Sequence, residues 1–172
     1  SGAAPSADQV KENTNITISY SNTASAEQMT IQQAAIAEIK AGKEVKVVET
    51  DSSGKETMSW TFTGADAPAA GYANDNVTTK VTPDTSKLAD EKKITLDFSY
   101  SGTLPYASTI KYYIGTDNFP AGTLISVKHE NGDDLGQYPV DSDGYIEFTI
   151  THCSDWYLQQ WFVIRFNAND GK

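Results

Sequence analysis

Oxidisable and metal-binding side chains are scarce in this chain, which has one cysteine, Cys153, and two histidines, His129 and His152. A lone cysteine excludes an internal disulfide. The 172 residues must therefore hold together by packing, and that length suffices for one core without a covalent or metal staple. Two histidines and one cysteine without ligand spacing make no zinc motif, so neither metal nor cofactor is expected. Basic residues are also few. Thirteen Lys and Arg against twenty-three Asp and Glu leave a net charge of −10. Nucleic-acid backbones and anionic lipid surfaces reward the opposite sign, so neither is an expected partner. No apolar run approaches the roughly 20 residues of a membrane-spanning helix.

What is abundant is strand-forming sequence. Thr, Val, Ile and Tyr recur in short runs broken by Gly, Asn, Asp and Pro, the spacing of a mainly β chain. The expected fold is an antiparallel β-sandwich with one short α-helix, a single module over 13–168. Residues 1–12 are small and polar and read as a flexible leader, and 169–172 as a tail. The helix is expected after Ser25, which forms a capping box with Gln28. Ile31, Ala35, Ile36 and Ile39 would share its buried face, and Gly42 would stop it. Period-two alternation places Met58, Trp60 and Phe62 on a core face, then Ile94, Leu96, Phe98 and Tyr100, then Ile146, Phe148 and Ile150. Segments 64–74 and 102–106 read as loops carrying Tyr72 and Tyr106, and 83–93 as a polar connection.

The stretch 94–158 carries a family resemblance. The run ITLDFSYSGTLP over 94–105, the YIG at 113–115, the DGY turn at 143–145 and FTITHCSD over 148–155 resemble modules of secreted surface proteins of gut Firmicutes. The Gly42-Lys43 helix end and the hairpin bearing SWTF at 59–62 are similar too. The resemblance implies a β-sandwich unit in a large extracellular, cell-surface protein, beside neighbouring domains such as dockerins and sugar-binding modules. Some such modules look like amylosome starch-adherence proteins, where the implied ligand is an α-glucan. This chain departs from the pattern by inserting WYLQQW at 156–161.

That insertion holds the main candidate site. In a final strand over about 157–166, Trp156, Leu158, Gln160, Phe162, Ile164 and Phe166 share one face, and Tyr157, Gln159, Trp161, Val163 and Arg165 the other. Sugar rings stack on aromatic faces while their hydroxyls need planar donors and acceptors. Trp161 and Trp156 are thus the candidate stacking platforms, with Tyr106 and Tyr72 as additional ones on loops. Gln159, Gln160 and Arg165 are the candidate hydroxyl-binding groups. The competing reading buries Trp161 under a second layer.

His152, Cys153, Ser154 and Asp155 line up nucleophile, base and acid, but neighbours on a strand point to opposite faces and build no relay. Acidic residues gather in turns, as Asp51, Asp141 and Asp143 do, where solvated turn formation explains them. The expectation is a non-enzymatic polysaccharide-binding module, α-glucan favoured. The alternative is a spacer or protein-interaction module whose large aromatics are all buried and which has no polar groove.

Overall fold

A computed structural model describes residues 2–162. The chain is mainly β and sandwich-like, as its composition implies. In chain order the elements are α1 (Ala7–Glu12), β1 (Asn15–Ser21), β2 (Thr30–Ile31), α2 (Gln33–Ile36), β3 (Glu44–Thr50), β4 (Glu56–Thr63), β5 (Val77–Thr78), β6 (Val81–Asp84), α3 (Leu88–Glu91), β7 (Lys93–Tyr113), β8 (Leu124–His129), β9 (Asp134–Pro139) and β10 (Tyr145–Gln160).

Two long strands organise everything. The second half of β7 pairs with β4 and with the first half of β10, while its first half pairs with β6 and the end of β10. Beyond β4 lie β3 and β1; beyond β10 lie β8 and β9. The sheet bends where both long strands change partners, so the same two strands supply both layers, joined at the bend by the pairs His152–Thr103 and Cys153–Gly102. Contacts across the core show the two arms face to face. Trp60 of β4 lies 5.6 Å from Phe98, and Tyr138 of β9 lies 6.1 Å from Phe148.

The bend is written into the register of β10, which shifts between Ile150 and His152 and again between Cys153 and Asp155. Each shift inverts which parity faces inward. Buried positions therefore run Ile146, Phe148, Ile150, then Cys153, then Trp156 and Leu158. Trp60, Phe62, Phe148 and Trp156 are among the largest fully buried side chains, each contributing on the order of 2–3 kcal/mol of apolar burial.

Several expectations need correction. The sheet is mixed rather than wholly antiparallel, because β1 runs parallel to β3. Residues 102–106 are no loop but part of β7, with Gly102 at φ 111° absorbing a kink. The connection over 83–93 contains the end of β6 and α3, and the final strand is the continuation of β10 rather than a separate element. The helix is shorter than expected. The Ser25–Gln28 capping box forms, with Gln28 N–H to Ser25 Oγ at 3.2 Å and Ser25 N–H to Gln28 Oε1 at 2.8 Å. It closes only one turn, because the Met29 carbonyl is taken by the Thr79 N–H at 3.0 Å and the Thr79 hydroxyl at 2.9 Å. Thr30 and Ile31 then pair with Thr78 and Val77, and helix resumes only over Gln33–Ile36. Tertiary hydrogen bonds override local propensity here.

The leader is likewise not a free one. Ser6 caps α1 through a capping box with Gln9, and Val10 is buried in the core. Lys43 reaches across to the C-terminal end of α1, donating to the carbonyls of Val10 at 2.7 Å, Lys11 at 2.8 Å and Asn13 at 2.8 Å. A cation at that end satisfies orphan carbonyls and complements the helix dipole.

Candidate functional site

Two cross-strand rows build the outer face of the arm made by β7, β10 and β8. Lys93 pairs with Gln159, which pairs with Ser126; Thr95 pairs with Tyr157, which pairs with Lys128. Between them runs the row Ile94, Leu158 and Val127, all pointing into the core. Strand alternation thus turns Lys93, Gln159, Ser126, Tyr157 and Lys128 to the same side, with Ser126 itself buried. Trp161 follows β10 and is held in line by its N–H, which donates to the Leu124 carbonyl at 2.9 Å.

These side chains, with Gln160 and Phe162, line an open groove of about 450 Å³. Its floor is preorganised. The Lys93 ammonium sits 4.3 Å from the centre of the Tyr157 ring, a cation–π contact that fixes both groups. Gln159 Nε2 donates to the Glu91 carbonyl at 3.2 Å, leaving its amide oxygen available. Among the described residues the exposed large hydrophobics are Leu124, Trp161 (41 % exposed) and Phe162 (64 %), and all three sit at this one corner. Apolar surface concentrated beside polar groups in this way makes this corner the candidate site.

The expected site residues divide sharply. Trp161, Gln159 and Gln160 come together in the groove. Trp156 does not, because even parity turns it inward, where it is fully buried and donates from Nε1 to the His152 carbonyl at 3.3 Å. Tyr106 is buried as well, donating its hydroxyl to the Ile36 carbonyl at 2.8 Å, so it anchors α2 and offers no platform. Tyr72 packs inward with its hydroxyl on the Asp75 carbonyl, and burial raises its pKa to about 12. Arg165 lies outside the described residues. Lys93, Ser126 and Lys128 were not foreseen, because only the register between distant strands brings them to the groove. Tyr157 was visible as a member of the outer face.

The His-Cys-Ser-Asp run is split by the register shifts. Cys153 is buried, which pushes its thiol far above the ordinary value and away from the reactive thiolate. Ser154 donates its hydroxyl to Glu130, and Asp155 has its carboxyl raised by desolvation and by neighbouring Asp97 and Glu130. The turn acids are structural. Asp51 Oδ1 accepts from the Ser53 hydroxyl and from the amides of Ser53 and Lys55, and these bonds hold its carboxyl below the usual range. Asp141 Oδ1 takes the amides of Asp143 and Tyr145 in the same way.

A second cavity of about 300 Å³ opens between the layers, with Glu49, Lys80, Met58, Tyr112 and Asn22 among its walls. Glu49 is buried there, 3.7 Å from the Lys80 ammonium, and desolvation raises its pKa despite that partner. Comparison with family models, curated proteins and solved structures yields no match for this chain.

Proposed function

We propose that this chain is a non-catalytic carbohydrate-binding module of a secreted bacterial surface protein and that the groove over β7, β10 and β8 takes the polysaccharide. One observation carries the reading: Trp161 is 41 % exposed at a groove lined also by Tyr157, Gln159 and Gln160. An exposed indole costs solubility unless something stacks on it, and a pyranose ring supplies a matching apolar face. Gln159, Gln160, Ser126 and the two lysines supply donors and acceptors for hydroxyls around such a ring. The binder would concentrate a polymer for enzymes elsewhere, with α-glucans first in line because of the resemblance to starch-adherence modules.

The spacer reading draws on the burial of Trp156, Tyr106 and Tyr72, which leaves one aromatic corner rather than a long platform. Native gels cast with soluble starch, glycogen, xylan or β-glucan separate the two. Retardation by one polymer, abolished in Trp161→Ala and in Gln159→Ala, is expected. Unchanged mobility in all four gels would favour the spacer.

A further inference from the structure

The two histidines, distant in sequence, meet in space. His129 ends β8, and the following turn returns Asp133, whose carbonyl accepts the His129 N–H at 2.8 Å. His152 arrives from β10 at the first register shift, which turns it off the core face and beside His129. The two imidazole rings lie 4.4 Å apart at 73°. Trp156 closes the floor beneath them, its ring 4.6 Å from His129 and 5.4 Å from His152.

We infer that His129, Asp133 and His152 form a binding site for a divalent transition-metal ion of the zinc, cobalt, nickel or copper kind. Each residue offers one ligand atom, and the three atoms lie within 4.8 Å of one another. Asp133 Oδ2 and His152 Nε2 are 3.2 Å apart, which matches the edge of a tetrahedron around zinc, about 3.3 Å for bonds near 2.05 Å. A second observation is independent of that spacing. His129 is only 6 % exposed, and its Nε2 is buried with no hydrogen-bond partner. Buried polar atoms are nearly always satisfied, so an orphaned nitrogen on an imidazole packed against a second imidazole asks for an occupant. His152 Nε2 pairs with Asp133 Oδ2 at 3.2 Å and has no other partner among the described residues.

Donor chemistry selects the ion. Two imidazoles and one carboxylate suit borderline transition metals and serve calcium or magnesium poorly, since those prefer all-oxygen shells. Asp133 is 55 % exposed at its side chain, so the site has an entry path and room for water as a further ligand. One local bond must yield. The Asn131 amide donates to His129 Nδ1 at 3.2 Å, which places the imidazole proton on Nε2. Loading Nε2 moves that proton to Nδ1 and displaces the amide, so binding is coupled to the turn between β8 and β9.

Cobalt(II) is the probe, added to untagged full-length protein. One equivalent per chain should bind, with visible d–d absorption that zinc(II) abolishes by competition. The Asn131 amide resonance should shift as zinc is added. Asp133→Asn alters an exposed group and His152→Gln a half-buried one with a near-isosteric amide, and both should keep the native circular dichroism while weakening zinc at least about tenfold. Trp161→Ala should leave metal affinity unchanged, which keeps this test separate from the glycan groove. Absence of stoichiometric cobalt or zinc uptake, or wild-type affinity in both folded variants, would overturn the assignment.

Discussion

Trp156 and Trp161 are five residues apart on one segment yet have opposite fates, and alanine at each should separate folding from binding. Trp156 is fully buried, its indole N–H is bonded to the His152 carbonyl, and its ring supports His129 and His152. Removing a buried indole costs about 3–5 kcal/mol, the lost transfer energy plus the cavity left behind. Domains of this size have about 5–15 kcal/mol in total. With a urea slope of about 2 kcal/mol per molar, Trp156→Ala should lower the unfolding midpoint by roughly 2 M. Trp161 is 41 % exposed and donates its backbone N–H to the Leu124 carbonyl, a bond that alanine keeps. Trp161→Ala should therefore stay within about 0.5 kcal/mol of the parent. Far-UV circular dichroism should follow the unfolding, since both substitutions change fluorescence. Equal midpoints for the two variants, or a loss below about 1 kcal/mol in Trp156→Ala, would refute the inward placement of Trp156 on which the outward placement of Trp161 depends.

Two further outcomes rest on charges in partly or wholly buried places. Glu49 has a folded pKa above its ordinary 4.5 because burial disfavours its charge. The folded state then holds that proton more tightly than the unfolded one, so stability is fullest below 4.5 and declines as pH rises through the raised value. Glu49→Gln should flatten this arm in urea titrations from pH 4 to 7, and an unchanged slope would contradict the assignment. Lys43→Met removes the three bonds that hold the end of α1, costing about 2 kcal/mol. Limited proteolysis should then cut before residue 14 first, while the β core persists; uniform digestion would argue against a separately tethered helix.

Alternation made the strands legible. Met58, Trp60, Phe62, Leu96, Phe98, Ile146 and Phe148 are all buried as their parity implies, and the same arithmetic put Tyr157, Gln159 and Trp161 on one outer face. Two kinds of information were hidden. Register between distant strands is set by the whole sheet, so Lys93 and Lys128 could not be assigned to the groove, nor His129 and His152 to one another. Tyrosines on apparent loops were ambiguous because a phenol satisfies its hydroxyl equally well in water or on a buried carbonyl, and Tyr106 and Tyr72 both took the carbonyl. The helix after Ser25 failed for a related reason. Its cap was local, but the competitor for the Met29 carbonyl, Thr79, lay far along the chain.

Because β7 and β10 are shared by both layers, the layers are joined at their crossing by backbone pairs between two register shifts rather than by a separate loop. Separating the layers there means breaking covalently continuous strands away from their partners, not sliding two plates apart. Loosening should accordingly begin at the margins, on β1 and β9, with amides along the shared pair exchanging last. The groove proposed for a polysaccharide would then rest on the strands slowest in the molecule to yield.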